Sequence, residues 1–185
     1  MAEVIEAKSI GVLSDTHGSL PAWNAARAVF GPVDAILHAG DVLYHGPRNA
    51  IPGGYTPKDL AEVIKNHTGT LYISRGNCDA AVDMMVTDRD MPSCVSLLWN
   101  DKKILMMHGD NFPLFRQIAL DNKVDLAISG HTHIASCVRE AGTIFLNPGS
   151  TTIPKGKDPA SVAILDDEQI RIITLEGVVL HREKW

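Results

Sequence analysis

Few features of this chain suggest export, a membrane span or a basic binding surface. Its three cysteines, Cys78, Cys94 and Cys137, form no CxxC pair, which argues against a disulfide framework and favours a reduced, cytoplasmic protein. No stretch approaches the roughly 20 apolar residues that a membrane helix needs, and residues 1–8 lack the apolar core of a signal peptide. Acidic residues outnumber basic ones by 22 to 17, so we expect neither a nucleic-acid surface nor an anionic-membrane surface.

The chain does have enough apolar material for one compact core. It is 45% hydrophobic over 185 residues, and no internal repeat, low-complexity segment or linker divides it. The sequence therefore predicts one domain that spans residues 1–185.

The first two-thirds of the chain alternate short apolar runs with helical patterns, which is typical of an α/β fold. Helices are predicted from a Ser19 N-cap to about Phe30, from Thr56-Pro57 onward, and over Phe112–Asn122. From Ser136 onward, short β-prone runs between turns predict an antiparallel meander that completes a second sheet. Buried strands are predicted at Ser9–Ser14, Ala35–Ala39, Leu71–Ser74, Ile104–Met107 and Leu126–Ser129.

Polar motifs stand just beyond these apolar runs, and five of them carry side chains that bind divalent metals. Because strand ends converge at one edge of an α/β sheet, we expect these motifs to meet. Asp, Asn and neutral His are ligand types for Mn, Fe or Zn. The candidate ligands are Asp15 and His17 in SDTHG, Asp41 in AGD, Asn77 in RGNCD, His108 in MMHGD, and His131 and His133 in GHTH.

Seven ligands are too many for one catalytic ion that must keep an open coordination position. They suit two ions that share a carboxylate. Paired ions about 3.5–4 Å apart hold both the attacking and the leaving oxygen of a phosphoryl displacement, and they make a hydroxide available near neutral pH. Such a mechanism requires no Ser or Cys nucleophile, so we expect no catalytic group beyond the metal-bound hydroxide.

The motif order D-x-H, G-D, G-N, H and G-H-x-H resembles the calcineurin-like metallophosphoesterase superfamily. The segments GDVLYHGPRNAIPGGY, RGNCD, NPGS and IPKG resemble its bacterial YfcE-type phosphodiesterase branch, and the similarity spans nearly the whole chain. The resemblance implies a four-layer α/β/β/α sandwich of two mixed sheets flanked by helices. It also implies two divalent metal cofactors, with Mn²⁺ a common activator, and a small-molecule phosphodiester as substrate.

The family pattern also implies how the ligands divide between the two ions. The first ion would be bound by Asp15, His17, Asp41 and His133, and the second by the shared Asp41 with Asn77, His108 and His131. Two positions depart from the pattern, Cys78 and Asp110. Many relatives have His where Cys78 stands, and because Cys is a poorer acid, we expect a preference for good leaving groups. The role of Asp110, beside His108, stays open.

Several other polar side chains near these motifs have weaker assignments. In the Gly- and Pro-rich loop after AGD, His45 and Arg48 are predicted to bind the substrate phosphate, since Arg offers a bidentate fork to phosphoryl oxygens. Arg75 is expected in a salt bridge beneath the sheet, with a phosphate contact as the alternative. Lys155 is expected as a solvated loop charge, with a position at the rim of the site as the alternative. His38, inside an apolar strand, is expected to be a core histidine bonded to backbone or to a ligand carboxylate.

Three functions are compatible with the sequence. The first is a dinuclear phosphodiesterase, and the second a phosphomonoesterase on the same site. Monoesters carry more negative charge and invite more cationic contacts than this loop shows. The third is a non-catalytic protein-binding scaffold of the same fold, which the intact ligand set disfavours. Homo-oligomerisation through an exposed apolar patch on the later strands stays open.

Overall fold

A computed structural model describes residues 2–185, so Met1 of the predicted domain lies outside the described residues. Two six-stranded sheets contain the strands, and four helices pack outside them. The helices are α1 (Leu20–Phe30), α2 (Pro57–Lys65), α3 (Ala81–Thr87) and α4 (Phe112–Asp121). The strands are β1 (Glu3–Val4), β2 (Ile10–Leu13), β3 (Ala35–His38), β4 (Thr70–Ile73), β5 (Val95–Trp99), β6 (Lys102–Met106), β7 (Leu126–Ile128), β8 (Ser136–Glu140), β9 (Thr143–Asn147), β10 (Ser161–Leu165), β11 (Gln169–Thr174) and β12 (Val179–Lys184).

Both sheets are mixed. The first has the order β1-β5-β6-β7-β9-β8, and its strands β6, β7 and β9 run parallel. The second has the order β12-β11-β10-β2-β3-β4, and its strands β2, β3 and β4 run parallel. The remaining strands pair antiparallel, except that β1 runs parallel to β5.

Three apolar clusters define four layers. Side chains of both sheets meet in the central cluster, for example Val12 and Leu37 with Ile104 and Leu126. Helices α1 and α2 cover the outer face of the second sheet, and α4 covers the outer face of the first. Because both faces of the central strands are covered, β2 and β3 are continuously buried rather than alternating. The predicted α/β/β/α sandwich is confirmed.

The C-terminal third differs from the sequence-based prediction, and α3 was not predicted. The expected single meander is wrong: β8 and β9 form a hairpin that joins the first sheet, whereas β10, β11 and β12 extend the second. Strand periodicity identifies the strands, but it does not identify the sheet to which each belongs. Within residues 2–185 no helix has the length and apolar character needed to cross a bilayer.

Candidate metal centre

The candidate ligands follow the ends of parallel strands from both sheets. Asp15 follows β2, Asp41 follows β3, Asn77 follows β4, His108 follows β6, and His131 and His133 follow β7. Five of these seven residues have a left-handed backbone, with φ of 55° at Asp15, 44° at His17, 59° at Asp41, 64° at His131 and 59° at His133. Such φ values are unfavourable for residues other than glycine and cluster at functional sites. The ligand residues themselves therefore turn the chain back at the strand ends.

The inner half of the centre consists of Asp15, His17 and His133, all almost completely buried. Asp15 Oδ1 lies 3.2 Å from His133 Nε2 and 3.7 Å from His17 Nε2. His17 Nδ1 donates a hydrogen bond of 2.7 Å to the Tyr44 carbonyl oxygen, and His133 Nδ1 donates one of 2.9 Å to that of Ile153. These bonds fix both imidazoles with their Nε2 atoms facing inward.

The outer half consists of Asn77, His108 and His131, and it is more open. Asn77 Oδ1 lies 3.0 Å from His108 Nε2 and 2.8 Å from His131 Nδ1. His108 is oriented like the inner histidines, because its Nδ1 donates to the Ala39 carbonyl oxygen at 2.7 Å. Asn77 is exposed and His131 half-buried, whereas His108 is 1% exposed, so only the side of this half formed by Asn77 and His131 faces solvent.

Asp41 lies between the two halves. Its Oδ1 accepts a hydrogen bond of 2.8 Å from the Cys78 backbone N–H. Its Oδ2 lies 3.4 Å from His108 Nε2 and 3.8 Å from His17 Nε2, so one oxygen faces both halves. Burial alone would raise the pKa of Asp41, but the hydrogen bond and charge of His108 hold it well below its usual range. Burial alone would lower the pKa of His108, but the hydrogen bond and negative charge of Asp41 raise it to about 9.

The inner half has the chemistry of a cation site. Both Nδ1 atoms donate to carbonyls, which leaves His17 Nε2 and His133 Nε2 directed at each other, 3.3 Å apart. Asp15 Oδ1 is buried and has no hydrogen-bond partner in residues 2–185. Ligand atoms that share an ion at about 2.0–2.2 Å lie roughly 3–3.6 Å apart, and the spacings here, 3.2, 3.3 and 3.7 Å, are close to that range. The residues present therefore fit a divalent metal.

Asp79 connects the loops of Asp41 and Asn77, and sequence reasoning missed this role. Its Oδ2 accepts backbone hydrogen bonds from Asp41 at 2.9 Å and from Gly76 at 2.7 Å, and its Oδ1 accepts one from Val42 at 2.7 Å. Burial raises the pKa of Asp79 more than these three donors lower it. The signal was present in the sequence, because a carboxylate two residues after a ligand can bond the turn that carries it.

Close backbone approach requires glycine at two positions in the centre. A Cβ at Gly76 would lie 2.2 Å from Asp41 Oδ1, and one at Gly130 would lie 1.9 Å from Ser14 Oγ. The NPGS segment, residues 147–150, forms hydrogen bonds to the backbone of the same region. Ser150 Oγ donates to the Asp15 carbonyl oxygen at 2.9 Å, and Asn147 Nδ2 donates to that of Gly130 at 2.6 Å.

Cys78 lies at the rim beside Asp41. Its Sγ is close enough to His17 and Asp41 to offer a third ligand atom. Burial and the negative charge of Asp41 raise the pKa of the Cys78 thiol to about 12, so the group is a protonated thiol. Asp110 is exposed. Burial and the charge of His108 lower the pKa of His131, and the negative charge of Asp110 partly opposes this shift.

His38 is the core histidine that the sequence predicts. Gly40 N–H donates to its Nδ1 at 3.1 Å, its Nε2 lies 3.0 Å from Thr16 Oγ1, and that hydroxyl donates to the Val42 carbonyl oxygen at 2.8 Å. Burial lowers the pKa of His38 to about 4. A neutral His38 that donates from Nε2 satisfies every bond in this chain.

A cleft of about 790 Å³ opens onto the centre and is lined by Asp41, Asn77, His131 and His133. Arg48, which the sequence predicts as a substrate contact, also lines it. His45 is not among its lining residues, because the imidazole packs against Tyr55 with ring centroids 5.1 Å apart. Arg75 and Lys155 line the cleft as well. The predicted salt bridge of Arg75 is wrong, since within residues 2–185 its side chain bonds only to the Asp79 carbonyl oxygen at 3.2 Å.

This combination of fold and centre defines a known class of hydrolase. Residues 9–169 match the calcineurin-like phosphoesterase superfamily domain, and the chain belongs to that family. It is a phosphoesterase enzyme with candidate sites for the divalent metals that the family implies.

Individual relatives support the assignment. Phosphodiesterase YfcE of Escherichia coli is 37% identical over 165 residues, which cover 88% of this chain and 89% of that protein. The solved structure of the E. coli phosphoesterase YfcE has a TM-score of 0.85 at 30% identity and covers 95% of this chain and 98% of that one. A probable metallophosphoesterase of Methanocaldococcus jannaschii is 30% identical over 178 residues, or 90% of this chain and 81% of that protein. Vacuolar protein sorting 29 of Cryptosporidium parvum shares the fold, with a TM-score of 0.65 at 20% identity over 90% of this chain and 89% of that one.

Proposed function

We propose that this chain is a dinuclear metal-dependent phosphodiesterase that hydrolyses small-molecule diesters with good leaving groups. The observation that carries the proposal is the position of Asp41 Oδ2, 3.8 Å from His17 Nε2 in the inner half and 3.4 Å from His108 Nε2 in the outer half. An oxygen that faces both ligand sets is suited to bridging two ions.

The residues of the centre have distinct roles in this proposal. When bound, two divalent ions, with Mn²⁺ our first choice, supply a water of lowered pKa that attacks the phosphorus and positive charge that stabilises the transition state. The inner ligands would hold one ion, the outer ligands the other, and Asp41 both. Arg48, at the cleft wall, would orient the phosphoryl oxygens, and His45 would contact the ester or support the loop that carries Arg48.

Two alternatives remain to be compared with this one. A phosphomonoesterase is favoured by one observation, because Arg75 and Lys155 add positive charge to the cleft beyond that of Arg48. The assignment as a phosphodiesterase is supported by a relative, because the similar E. coli protein YfcE is named a phosphodiesterase. A protein-binding scaffold is disfavoured, since all seven ligands are present and face one another. We further propose one metallophosphoesterase domain and a cytoplasmic location, the latter supported by free Cys78, Cys94 and Cys137.

The first experiment is hydrolysis of bis(4-nitrophenyl) phosphate by metal-stripped protein with and without Mn²⁺, in parallel with 4-nitrophenyl phosphate. We expect turnover only with metal, and faster turnover of the diester. Asp41→Asn should reduce the rate by at least about 1,000-fold, because it weakens both ion sites. Asp121→Asn, at the exposed end of α4, is the matched control and should retain the rate. If the folded, metal-loaded protein hydrolyses neither ester with any divalent ion, the scaffold becomes the better assignment.

A further inference from the structure

The cleft carries more positive charge than the hydrolysis of one diester requires. Two carboxylates line it, Asp41 and Asp79, when residues 2–185 are considered. Asp41 belongs to the metal centre, and Asp79 is occupied by three backbone N–H groups. The remaining charged side chains of the lining are cations, although the chain has a net charge of −5. Such a local excess concentrates anionic ligands in a cleft.

Arg75 is held in place with its binding face free. Its Nε donates to the Asp79 carbonyl oxygen at 3.2 Å, which fixes the guanidinium beside the outer half. The arginine–carboxylate ion pairs within residues 2–185 belong to Arg116, Arg139 and Arg171, not to Arg75. The terminal nitrogens of Arg75 are therefore available as a fork for a phosphate or carboxylate.

Lys155 reaches the same cleft from the segment that follows His133. Its backbone N–H donates to the His133 carbonyl oxygen at 2.9 Å, which anchors the residue beside the inner half. Lys155 lines the cleft and, like Arg75, forms none of the ion pairs within residues 2–185. The two cations thus line the same cleft from the segments of Asn77 and His133.

We propose that Arg75 and Lys155 form a subsite for a second anionic group of the substrate, separate from the reacting phosphodiester. The inference rests on the proposed diesterase function. A diester carries one negative charge, which the ions and Arg48 already meet. A cleft of about 790 Å³ also holds far more than one phosphoryl group. The substrate class is a phosphodiester with a further phosphate or carboxylate on one of its two arms.

The test uses two substrates with the same reacting group: the 4-nitrophenyl ester of thymidine 5′-phosphate, with a 3′-hydroxyl or with a 3′-phosphate. Wild-type protein loaded with Mn²⁺ should show a kcat/KM about tenfold higher for the 3′-phosphorylated ester, the effect of one charge-assisted hydrogen bond. In the double variant Arg75→Gln/Lys155→Gln this ratio should fall to about one. Because the ratio is the readout, a general loss of activity that affects both esters cancels.

Lys157→Gln is the matched control, because Lys157 is exposed in the same loop but does not line the cleft. It should keep the wild-type ratio. Calorimetric binding of thymidine 3′,5′-bisphosphate against thymidine 5′-phosphate measures the same preference without turnover. A tenfold affinity preference that disappears in the double variant supports the subsite even if neither ester is hydrolysed, in which case only the diesterase function fails. Equal affinities in wild-type protein, or an unchanged preference in the double variant, overturn the subsite.

Discussion

The inner and outer halves of the centre use similar side chains in different surroundings. Asp15 and His17 are 0% exposed and His133 is 3% exposed, whereas Asn77 is exposed and His131 half-buried. The inner half also has its own carboxylate, while the outer half has a neutral amide and shares Asp41. Burial removes competing water, and a second carboxylate adds charge, so both favour tighter metal binding in the inner half. Asn77 and His131 of the outer half line the cleft, together with His133 of the inner half.

The comparison is tested most strongly by removing one histidine of the GHTH segment at a time. His133→Ala should abolish the tighter of two Mn²⁺ binding steps, and His131→Ala the weaker one. Each should lower turnover by more than about 100-fold, since losing even an outer-shell partner of a metal ligand costs roughly 10–100-fold. Calorimetric titration of metal-stripped protein measures both steps. Loss of the same step in both variants would contradict the difference between the halves.

The buried network beneath the inner half predicts a specific pH dependence of stability. The pKa of His38 is about 4 in the folded chain against 6.5 in the unfolded chain. Between these pH values the unfolded state therefore binds one more proton than the folded state. The contribution of neutral His38 to the free energy of unfolding is complete above pH 6.5 and is lost as pH falls toward 4. His38→Gln should remove up to about 3 kcal/mol of that decline.

Urea unfolding of chelator-treated protein between pH 4 and 7 makes this measurement. The same slope in His38→Gln and wild-type protein would show that His38 is not buried in its neutral form.

Substitution of Asp79 tests how the loops that carry Asp41 and Asn77 are held together. An amide in Asp79→Asn would direct an N–H₂ group at backbone donors, so the Asp41 and Asn77 loops should separate. We expect Mn²⁺ affinity to fall about 10–100-fold, with much of the lost kcat recovered at saturating Mn²⁺. Asp83→Asn is the matched control, because Asp83 is also buried but accepts only from Ala80 N–H at the start of α3.

In the control, the stability of α3 should fall by roughly 1 kcal/mol while metal affinity is kept. Equal losses of metal affinity in the two variants would assign Asp79 a general folding role.

The smallest expected effect concerns the rim of the outer half. Cys78 is a thiol with a pKa of about 12, which is a poor acid for a leaving alkoxide. Cys78→His should raise turnover of an alkyl phosphodiester by about tenfold and leave an aryl diester nearly unchanged, because only the poor leaving group needs a proton. Cys94→His, at an exposed cysteine, should change neither. An unchanged or lower alkyl rate with both ions bound would contradict the leaving-group argument.

The sequence predicted the class of fold and the candidate ligands through short-range regularities. Apolar runs of four or five residues followed by Asp, Asn or His predicted the strands and the polar residues at their ends. The structure brings together Asp15 with His133 and Asn77 with His131, although 118 and 54 residues separate them along the chain. Parallel strands make convergence predictable within each sheet, because their C-terminal ends share one edge. These two pairs join different sheets, since β2 and β4 lie in the second sheet and β7 in the first, so the packing of the sheets brings them together.

Other features of the centre depend on contacts that no local pattern reports. Three of these features arise where separate loops meet: the left-handed backbone of Asp15 and Asp41, the three backbone hydrogen bonds to Asp79, and, within residues 2–185, the unpaired terminal nitrogens of Arg75. The division of the late strands between two sheets has the same origin, since β-prone periodicity is identical whichever sheet the strand joins. The sequence by itself determined which side chains are candidate metal ligands and in what order the elements occur. Only the tertiary structure decided which half of the centre is buried and which cations face the cleft, because burial and pairing are set by neighbours distant in the chain.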